Sequence, residues 1–437
     1  MLTLCTVAFN AGAGEISTLR QSVIYAIEHN RLLAADAGSI TQARAGQDAA
    51  KGYFMPRVDV STGVIRTDAP GDYFGMRLNQ KKITAADFNP AILNNPGYIN
   101  NYQTRLNVSM PIYQGGALWA AKAQADHQAE ASIFEHAAMR QQVIYQTIAA
   151  YVQTRVSDAA IHAMQISVNA AEKRYKDAQA LQKRGVLIDS DVMDARVHLL
   201  HSQLNLKQAQ NSDAQARDAL RRVLGLDGDT VLEIASEPHL AVAEWTLDQA
   251  VEQALILRPD LKALEEAYRA SQAEVDGSKA AFRPHVDLVA GQEWNASTPA
   301  LKNRNSMVGA TVSMNLFAGG TDRAHMRVSR ARLIALELKL DDLRQQIRNE
   351  VKHAWRMLDE SKARDASKRE AFKQSEESLR IKALRYQQGL SKTSDLLDAQ
   401  VQVDTTRLSS IRAKYNVTIA RAALQLAVGS LNEGVVE

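Results

Sequence analysis

Two pairs of carboxylates, set in nearly identical hexapeptides, are the residues best placed to do chemistry in this chain. Ser190-Asp191-Val192-Met193-Asp194-Ala195 and Ser394-Asp395-Leu396-Leu397-Asp398-Ala399 lie 204 positions apart. Acids three apart share one helix face, so each pair offers a local negative field that attracts cations. His198 and His201 have the same spacing and could ligate a metal. No third ligand accompanies them, so they read as surface or interface histidines. Ser190 and Ser394 can cap helices, and acids in a first turn suit the helix dipole. Capping explains the shape of the motif without excluding a second role. The chain carries no P-loop, no Gly-x-Ser-x-Gly elbow and no His-Glu-x-x-His. Neither catalysis nor a cofactor is expected.

The hexapeptides belong to a longer repeat. Thr18-Leu19, Gln21, Val23 and Ala26 recur 228 positions on as Thr246-Leu247, Gln249, Val251 and Ala254. Phe54-Met55-Pro56-Arg57-Val58-Asp59-Val60 recurs at that offset as Phe282-Arg283-Pro284-His285-Val286-Asp287-Leu288. Further along the offset is 204: Gly115-Gly116 matches Gly319-Gly320, Gly185 matches Gly389, and Leu224-Gly225 matches Val428-Gly429. The first copy therefore holds 24 extra residues, between its Pro56 and its Gly-Gly pair. Two copies make a tandem duplication and not a solenoid.

Each copy has one order of elements. A helical stretch, Thr18 to Gly52 or Thr246 to Ala281, ends before a proline that pushes the chain toward extended geometry. Alternating segments follow. Val58, Val60, Thr62 and Val64 face one way, with Asp59, Ser61 and Gly63 opposite. Leu106, Val108, Met110 and Ile112 alternate with Arg105, Asn107, Ser109 and Pro111. Val308, Ala310, Val312, Met314 and Leu316 alternate with Gly309, Thr311, Ser313 and Asn315. These are period-two strands of roughly ten residues. A longer outward loop, rich in Asn, Tyr, Gly and Pro, is expected between Arg66 and Asn101.

After each Gly-Gly pair the chain reads helical for roughly 68 residues, about 100 Å at 1.5 Å per residue. Leu336, Leu340, Leu343, Ile347, Val351, Ala354 and Leu358 mark its apolar seam in copy two. A helix of about 35 residues returns from the glycine stop. Two such helices stacked end to end match one long helix, so a rod is expected, with strands at one end and the twin turns at the other.

Composition narrows the class. Fifty-two Lys+Arg against 49 Asp+Glu leave +3, too small a surplus to suggest a nucleic-acid partner. No run of 18 apolar residues exists, so a membrane span would have to be β. Residues 1–14 read as the remnant of a secretory signal, with small residues suited to cleavage near Ala13 or Gly14. Cys5 is the only cysteine, and Leu4 before it is too bulky for a lipoprotein site. The divisions are therefore 1–14 signal remnant, 15–225 first repeat, 226–245 connector, 246–431 second repeat and 432–437 tail. The connector holds a strand-like Thr230-Val231-Leu232-Glu233-Ile234. Four strands cannot close a barrel, and an open edge in lipid is costly. Three chains would supply twelve.

The duplicated plan of helix, Pro, two strands, Gly-Gly, long helix, Gly-Leu/Val turn, S-D-x-x-D-A and return helix resembles the TolC-type outer-membrane efflux protein family. The resemblance runs from Glu15 to Leu431. It implies a mainly α fold with membrane β: a homotrimer whose twelve-stranded barrel in outer-membrane lipid continues as an α-helical barrel through the periplasm. It implies a passive exit duct of a tripartite efflux or type I secretion system, joined by a periplasmic adaptor to an inner-membrane pump of RND or ABC type. Asp395 and Asp398 would form the pore constriction, and Asp191, Asp194 and Tyr386 the contacts of the gate. Gly185, Val186, Leu187, Gly389, Leu390 and Ser391 would dock the adaptor. The family often latches this end with an arginine where this chain has Ser391. The other open reading is a coiled-coil protein that bridges periplasmic layers and transports nothing. Bilayer-length alternating strands are what that reading does not need.

Overall fold

The computed structural model describes residues 17–228, 232, 234, 236–241 and 245–436. The proposed signal remnant and most of the strand-like stretch of the connector lie outside them. The described residues form two compact units. One holds the chain up to Ser39, Ile133–Lys262 and Leu340–Glu437; the other holds Ile40–Ser132 and Ala263–Lys339.

Both repeats begin with the same local device. The Thr18 hydroxyl accepts from the Gln21 amide at 3.2 Å, and the Gln21 side chain accepts from the Thr18 amide at 3.1 Å. Thr246 and Gln249 exchange the same bonds at 3.3 and 3.0 Å. These capping boxes explain why Thr-Leu-x-Gln recurs, since two orphan N–H groups are satisfied reciprocally. They start α1 (Leu19–His29) and α7 (Leu247–Leu257).

The expected single helix of each copy is in fact two. α1 stops at Asn30 and α2 (Arg31–Gly52) starts anew; α7 stops at Arg258 and α8 (Pro259–Ser278) follows. Asn30 makes the break by capping α2, its side-chain oxygen accepting from Leu32 and Leu33 at 3.0 Å. In copy two Pro259 ends α7, because the residue before proline is pushed out of helical geometry.

The long helices α5 (Ala117–Lys183) and α9 (Thr321–Gln387) each have 67 residues, and the return helices α6 (Asp189–Leu224) and α10 (Thr393–Val428) each have 36. Each return helix ends on a left-handed glycine seated on the break. A Cβ at Gly225 would lie 2.3 Å from the His29 carbonyl oxygen, and one at Gly429 would lie 2.8 Å from Arg258 Cα. The break residues reach back in both copies. Asn30 Nδ2 donates to the Val223 carbonyl at 2.7 Å and Arg258 Nη1 to the Ala427 carbonyl at 3.5 Å. Leu19, Val23, Leu220, Leu224, Ile144, Ile148 and Tyr151 form a buried apolar core beside the first seat.

The second unit carries one antiparallel sheet in chain order: β1 (Arg57–Thr67), β2 (Ile99–Gln114), β3 (His285–Ala296) and β4 (Arg304–Ser313). Each repeat supplies one hairpin, and β2 with β3 joins the two. The expected alternation in β2 holds up to Pro111 and then shifts. Pro111 faces Asp287 while Tyr113 faces Val286, so Ile112 is an extra, bulged residue. Proline has no N–H for the ladder, which suits it to a bulge.

The expected outward loop is largely folded. α3 (Pro70–Asn79), a 3-10 turn over Ala85–Phe88 and α4 (Pro90–Asn94) fill it. An Arg77–Asp87 pair at 2.9 Å and an edge-on Phe74–Phe88 contact hold it.

The seats generate a prediction. Gly225→Ala adds a backbone clash to left-handed strain and should cost about 2–5 kcal/mol. Gly185 has φ +74 but nothing within 4 Å, so Gly185→Ala should cost only about 1–2 kcal/mol. Thermal unfolding midpoints of the two variants check the ranking, which equal shifts would overturn.

Candidate functional site

The sheet has two chemically opposite faces. Register places Val58, Val60, Val64, Leu106, Val108, Met110, Leu288, Ala290, Val308, Ala310 and Val312 on one of them. These side chains are largely uncovered, with Val308 85% exposed. The other face carries Asp59, Ser61, Arg105, Asn107, Ser109, Glu293, Asn305 and Thr311. There Arg105 and Glu293 pair directly across β2 and β3 at 2.7 Å. A broad apolar surface backed by ion pairs on strands of bilayer length is the chemistry of a lipid-facing wall around a wet interior. Among the described residues no helix is long and apolar enough to cross a membrane.

The two hairpin turns are built alike. After α5, Gly185 N–H donates to the Gln182 carbonyl at 2.8 Å and Val186 N–H to the Leu181 carbonyl at 3.0 Å. After α9, Gly389 N–H donates to Tyr386 at 3.0 Å and Leu390 N–H to Arg385 at 2.9 Å. Both glycines have φ +74. This paired bonding satisfies the last carbonyls of a helix and demands a left-handed residue. Val186, Ile188 and Leu390 stand exposed beside the turns, while Leu187, Ser391 and Tyr386 are half-buried.

The serines do not cap. α6 begins at Asp189 behind Ile188, and α10 begins at Thr393 behind Lys392, so Ser190 and Ser394 lie inside the first turn. The capping bond comes from the acid instead. Asp395 accepts from the Lys392 amide at 3.3 Å and from the Ser391 hydroxyl at 3.2 Å. An acid at the third helical position reaches back to the orphan N–H of the cap, which a serine one residue earlier does not do here. Asp395, Asp398 and Asp194 are exposed and Asp191 is half-buried. Among the described residues no hydrogen bond joins Tyr386 to any of the four aspartates.

His198 and His201 line a groove of about 410 Å³ with Asp404, Arg412, Asn205 and Gln208. Burial pushes the His198 imidazole below its ordinary range, against the pull of Asp404, and its Nε2 is buried without a partner. Asp404 accepts from Ser167 at 2.6 Å and from Gln400 at 3.0 Å. Among the described residues no group of three or more His, Cys, Asp or Glu is arranged to hold a metal.

Sequence reasoning passed over a polar knot between the connector and the helices. Glu237 accepts from the Tyr415 hydroxyl at 3.0 Å and pairs with Lys414 at 3.1 Å and Arg155 at 3.5 Å. Burial opposes ionisation of Glu237, but bonds from Lys414 and Tyr415 prevail and hold its carboxyl below the ordinary range. Burial, with Glu237 beside it, pushes the Tyr415 phenol up to about 12. The only sequence signal was a charge in the connector, which spacing does not connect to residues 177 or 178 positions away.

This combination of a bilayer-fit sheet and long helices defines a channel-forming membrane protein. The family model for outer membrane efflux proteins matches residues 25–226 and 250–430. The chain belongs to that family, and its place is the outer membrane. It is 22% identical over 423 residues to outer membrane efflux protein BepC of Brucella suis, covering 95% of this chain and 86% of BepC. Its fold is similar to a solved structure of CusC, with a TM-score of 0.83 at 17% identity, covering 97% of this chain and 95% of that one. The CmeC outer membrane channel of Campylobacter jejuni is similar at a TM-score of 0.81 and 17% identity, over 95% of this chain and 86% of CmeC.

The knot generates a pH prediction. The phenol ionises near 10 in the unfolded chain and at about 12 in the folded one, so the fold favours its protonated form. That contribution is complete below pH 10 and is lost as pH rises through 12. The thermal midpoint should therefore fall less steeply across this window in Tyr415→Phe than in the wild type. Parallel curves would show that Tyr415 carries no part of the alkaline loss.

Proposed function

We propose that three copies of this chain close one barrel and form a passive exit duct across the outer membrane. A periplasmic adaptor and an inner-membrane pump, of the RND or ABC type, would energise it. The observation that carries the reading is the sheet: apolar on one face, polar on the other, with β1 and β4 as open edges. An unpaired edge in lipid leaves backbone groups unsatisfied at several kcal/mol each, so the edges call for further strands. A bridge that transports nothing would not need that wall.

In this reading Asp395 and Asp398 ring the narrowest part of the pore, six carboxylates about one threefold axis. Their exposure and shared helix face support it. Asp191, Asp194 and Tyr386 contribute contacts of the gate. Ser391, bonded to Asp395 in its own hairpin, stands where the family often has its latching arginine. The exposed Val186 and Leu390, with Gly185, Leu187, Gly389 and Ser391, form the face that meets the adaptor. No catalytic step is assigned to any residue.

Two measurements test the reading. In planar bilayers the purified protein should conduct, and divalent or trivalent cations added from the periplasmic side should block the current. Asp395→Ala with Asp398→Ala should abolish the block, while Asp191→Ala with Asp194→Ala should keep it. Absence of pores rejects the duct, and block that survives the first pair places the ring elsewhere.

The docking face is tested at Gly389, where an added Cβ would meet nothing within 4 Å. Gly389→Trp should lose export in cells while trimers persist. Gly389→Ala, which carries the same backbone strain of about 1–2 kcal/mol without the bulk, should retain it. Wild-type export by Gly389→Trp rejects the docking face, and equal loss in both variants assigns the effect to strain.

A further inference from the structure

The strands keep their charges off the apolar face of the sheet, with two exceptions. Arg57, Asp59, Arg105, His285, Asp287 and Glu293 all lie on the polar face. Arg66, which faces Asn100, and Arg304, which faces Trp294, lie on the apolar one. Arg66 is the last residue but one of β1, and Arg304 is the first of β4. Both stand where their strands meet the outward loops, since α2, α5, α8 and α9 meet the strands at their other ends. Each is eight residues from the far valine of its strand, Val58 or Val312, about 26 Å along the strand at roughly 3.3 Å per residue. In a lipid-facing band about 25 Å tall a cation is costly at the middle and tolerated at the margin. There its apolar stem lies along the wall and its charged head reaches the headgroups.

Neither arginine is neutralised within the chain. Both are exposed, and among the described residues neither has a carboxylate partner. The Arg66 guanidinium lies 4.9 Å from the centre of the Tyr98 ring. Such a contact occupies the flat face of the group and leaves its in-plane N–H donors open. No acid lies on the apolar face of any strand, so the strands of further copies would bring none beside them. The anion has to come from outside the sheet.

The loops add to the same field. From Arg66 to Asn100 and from Trp294 to Arg304 the chain carries six cations against the three acids Asp68, Asp72 and Asp87. That surplus equals the net charge of the whole chain. Lys82 Nζ donates to Ser297 Oγ at 2.6 Å, which ties the first loop to the second. Lys302 is exposed, and its carbonyl accepts from the Asn295 amide at 2.9 Å. Trp294, Tyr102 and the 66% exposed Tyr98 stand at this end too. Amphipathic rings of this kind gather at headgroup depth.

We propose, on the lipid-facing reading of the sheet, that Arg66 and Arg304 bind phosphate groups on lipid headgroups of the outward leaflet. Lys82 and Lys302 strengthen the field around them. A planar guanidinium matches two oxygens of one phosphate at once. The acyl chains then lie against Val64 and Val308, and the rings beside each arginine hold the sheet at the depth where the phosphate is met. A zwitterionic headgroup carries its own ammonium, which the cationic surplus repels, so lipids with uncompensated phosphates are favoured.

Lipid titration tests the assignment. Full-length protein in detergent is titrated with lipid A carrying two phosphates, or with the same lipid dephosphorylated, and bound lipid is counted by native mass spectrometry. The wild type should hold the phosphorylated lipid about tenfold more tightly. Arg66→Gln with Arg304→Gln should lose that preference, and either change alone should lower it about threefold. Arg66→Lys with Arg304→Lys, which keeps the charge, should retain most of it. Arg57→Gln, on the polar face, should bind as the wild type does. Equal binding of the two lipids by the wild type, or an undiminished preference in the Gln variants, overturns the proposal. Displacement by equimolar inorganic phosphate also rejects it, because the site would then serve the free ion. The lipid-facing reading has its own check. In a Cys5→Ser background, which removes the only native cysteine, Val308→Cys is labelled with a fluorophore and reconstituted in phosphatidylcholine with brominated acyl chains. Quenching there, with no effect of the arginines on lipid preference, rejects the phosphate contacts alone. Absence of quenching rejects the lipid-facing wall together with them.

Discussion

Gly225 and Gly429 end the return helices with their backbones pressed on His29 and on Arg258, at distances that leave no room for a Cβ. This contact joins the start of each repeat to its end. It needs a left-handed residue without a side chain on one side and an interrupted helix on the other. An unbroken first helix would present a continuous cylinder of side chains, and the glycine could not approach it. The bonds from Asn30 to the Val223 carbonyl and from Arg258 to the Ala427 carbonyl show the same solution reached with different side chains. The amide of Asn30 serves both helices at once, accepting from α2 and donating to α6. Arg258 relies on its pairs with Asp260 and Glu350 to hold its guanidinium in place.

The core beside the first seat is apolar, yet polar groups are threaded through its margin. Tyr151 is fully buried, and its hydroxyl is satisfied by the Ser17 carbonyl at 3.1 Å and by Ser236. The chain end is drawn into the same place. Leu431 and Val436 are buried, and the Ala241 amide donates to the Val435 carbonyl at 2.9 Å. A buried polar atom without such a partner would cost about 1–3 kcal/mol, so these bonds hold connector and tail in one arrangement. The hairpin turns are the opposite case. Val186, Ile188 and Leu390 stand in the open there, beside turns held by their own backbone bonds, by Gln182 donating to Asp189 and by the bonds from Ser391 and Lys392 to Asp395.

The sheet obeys a different constraint. Its apolar face is a liability in water and a benefit in lipid, whereas its open edges are tolerable in water and costly in lipid. Lipid against the face and pairing of the edges together remove both costs. Polar groups on the other face are paired across strands, as Arg105 with Glu293, which suits a wet interior. The strand ends of one unit are fixed by a small amide cluster: Gln80 donates to the Asn100 carbonyl and to Asn101, and Asn101 to Asn295. That cluster ties the folded loop of the first hairpin to β3 of the second repeat.

Much of this protein was legible in the chain itself. The two offsets are visible by comparing the chain with itself, and the period of two in Val58 to Val64 and Val308 to Val312, the two long proline-free helices and the glycine stops each depend on neighbours in sequence. Local geometry therefore writes them into the residues directly. The family and the duplicated plan followed from those signals. What the sequence could not determine are the features whose cause lies far along the chain. The break at Asn30 serves Val223, the bulge at Ile112 answers the pairing of Pro111 with β3, and Glu237 is held by Lys414 and Tyr415. The twin hexapeptides show the limit at closest range. Their serines looked like caps because the motif fits one, but backbone geometry starts each helix a residue or more earlier and hands the cap of α10 to Asp395. A helix begins where its first N–H groups find partners in the folded turn, and only the tertiary structure shows which residue reaches them.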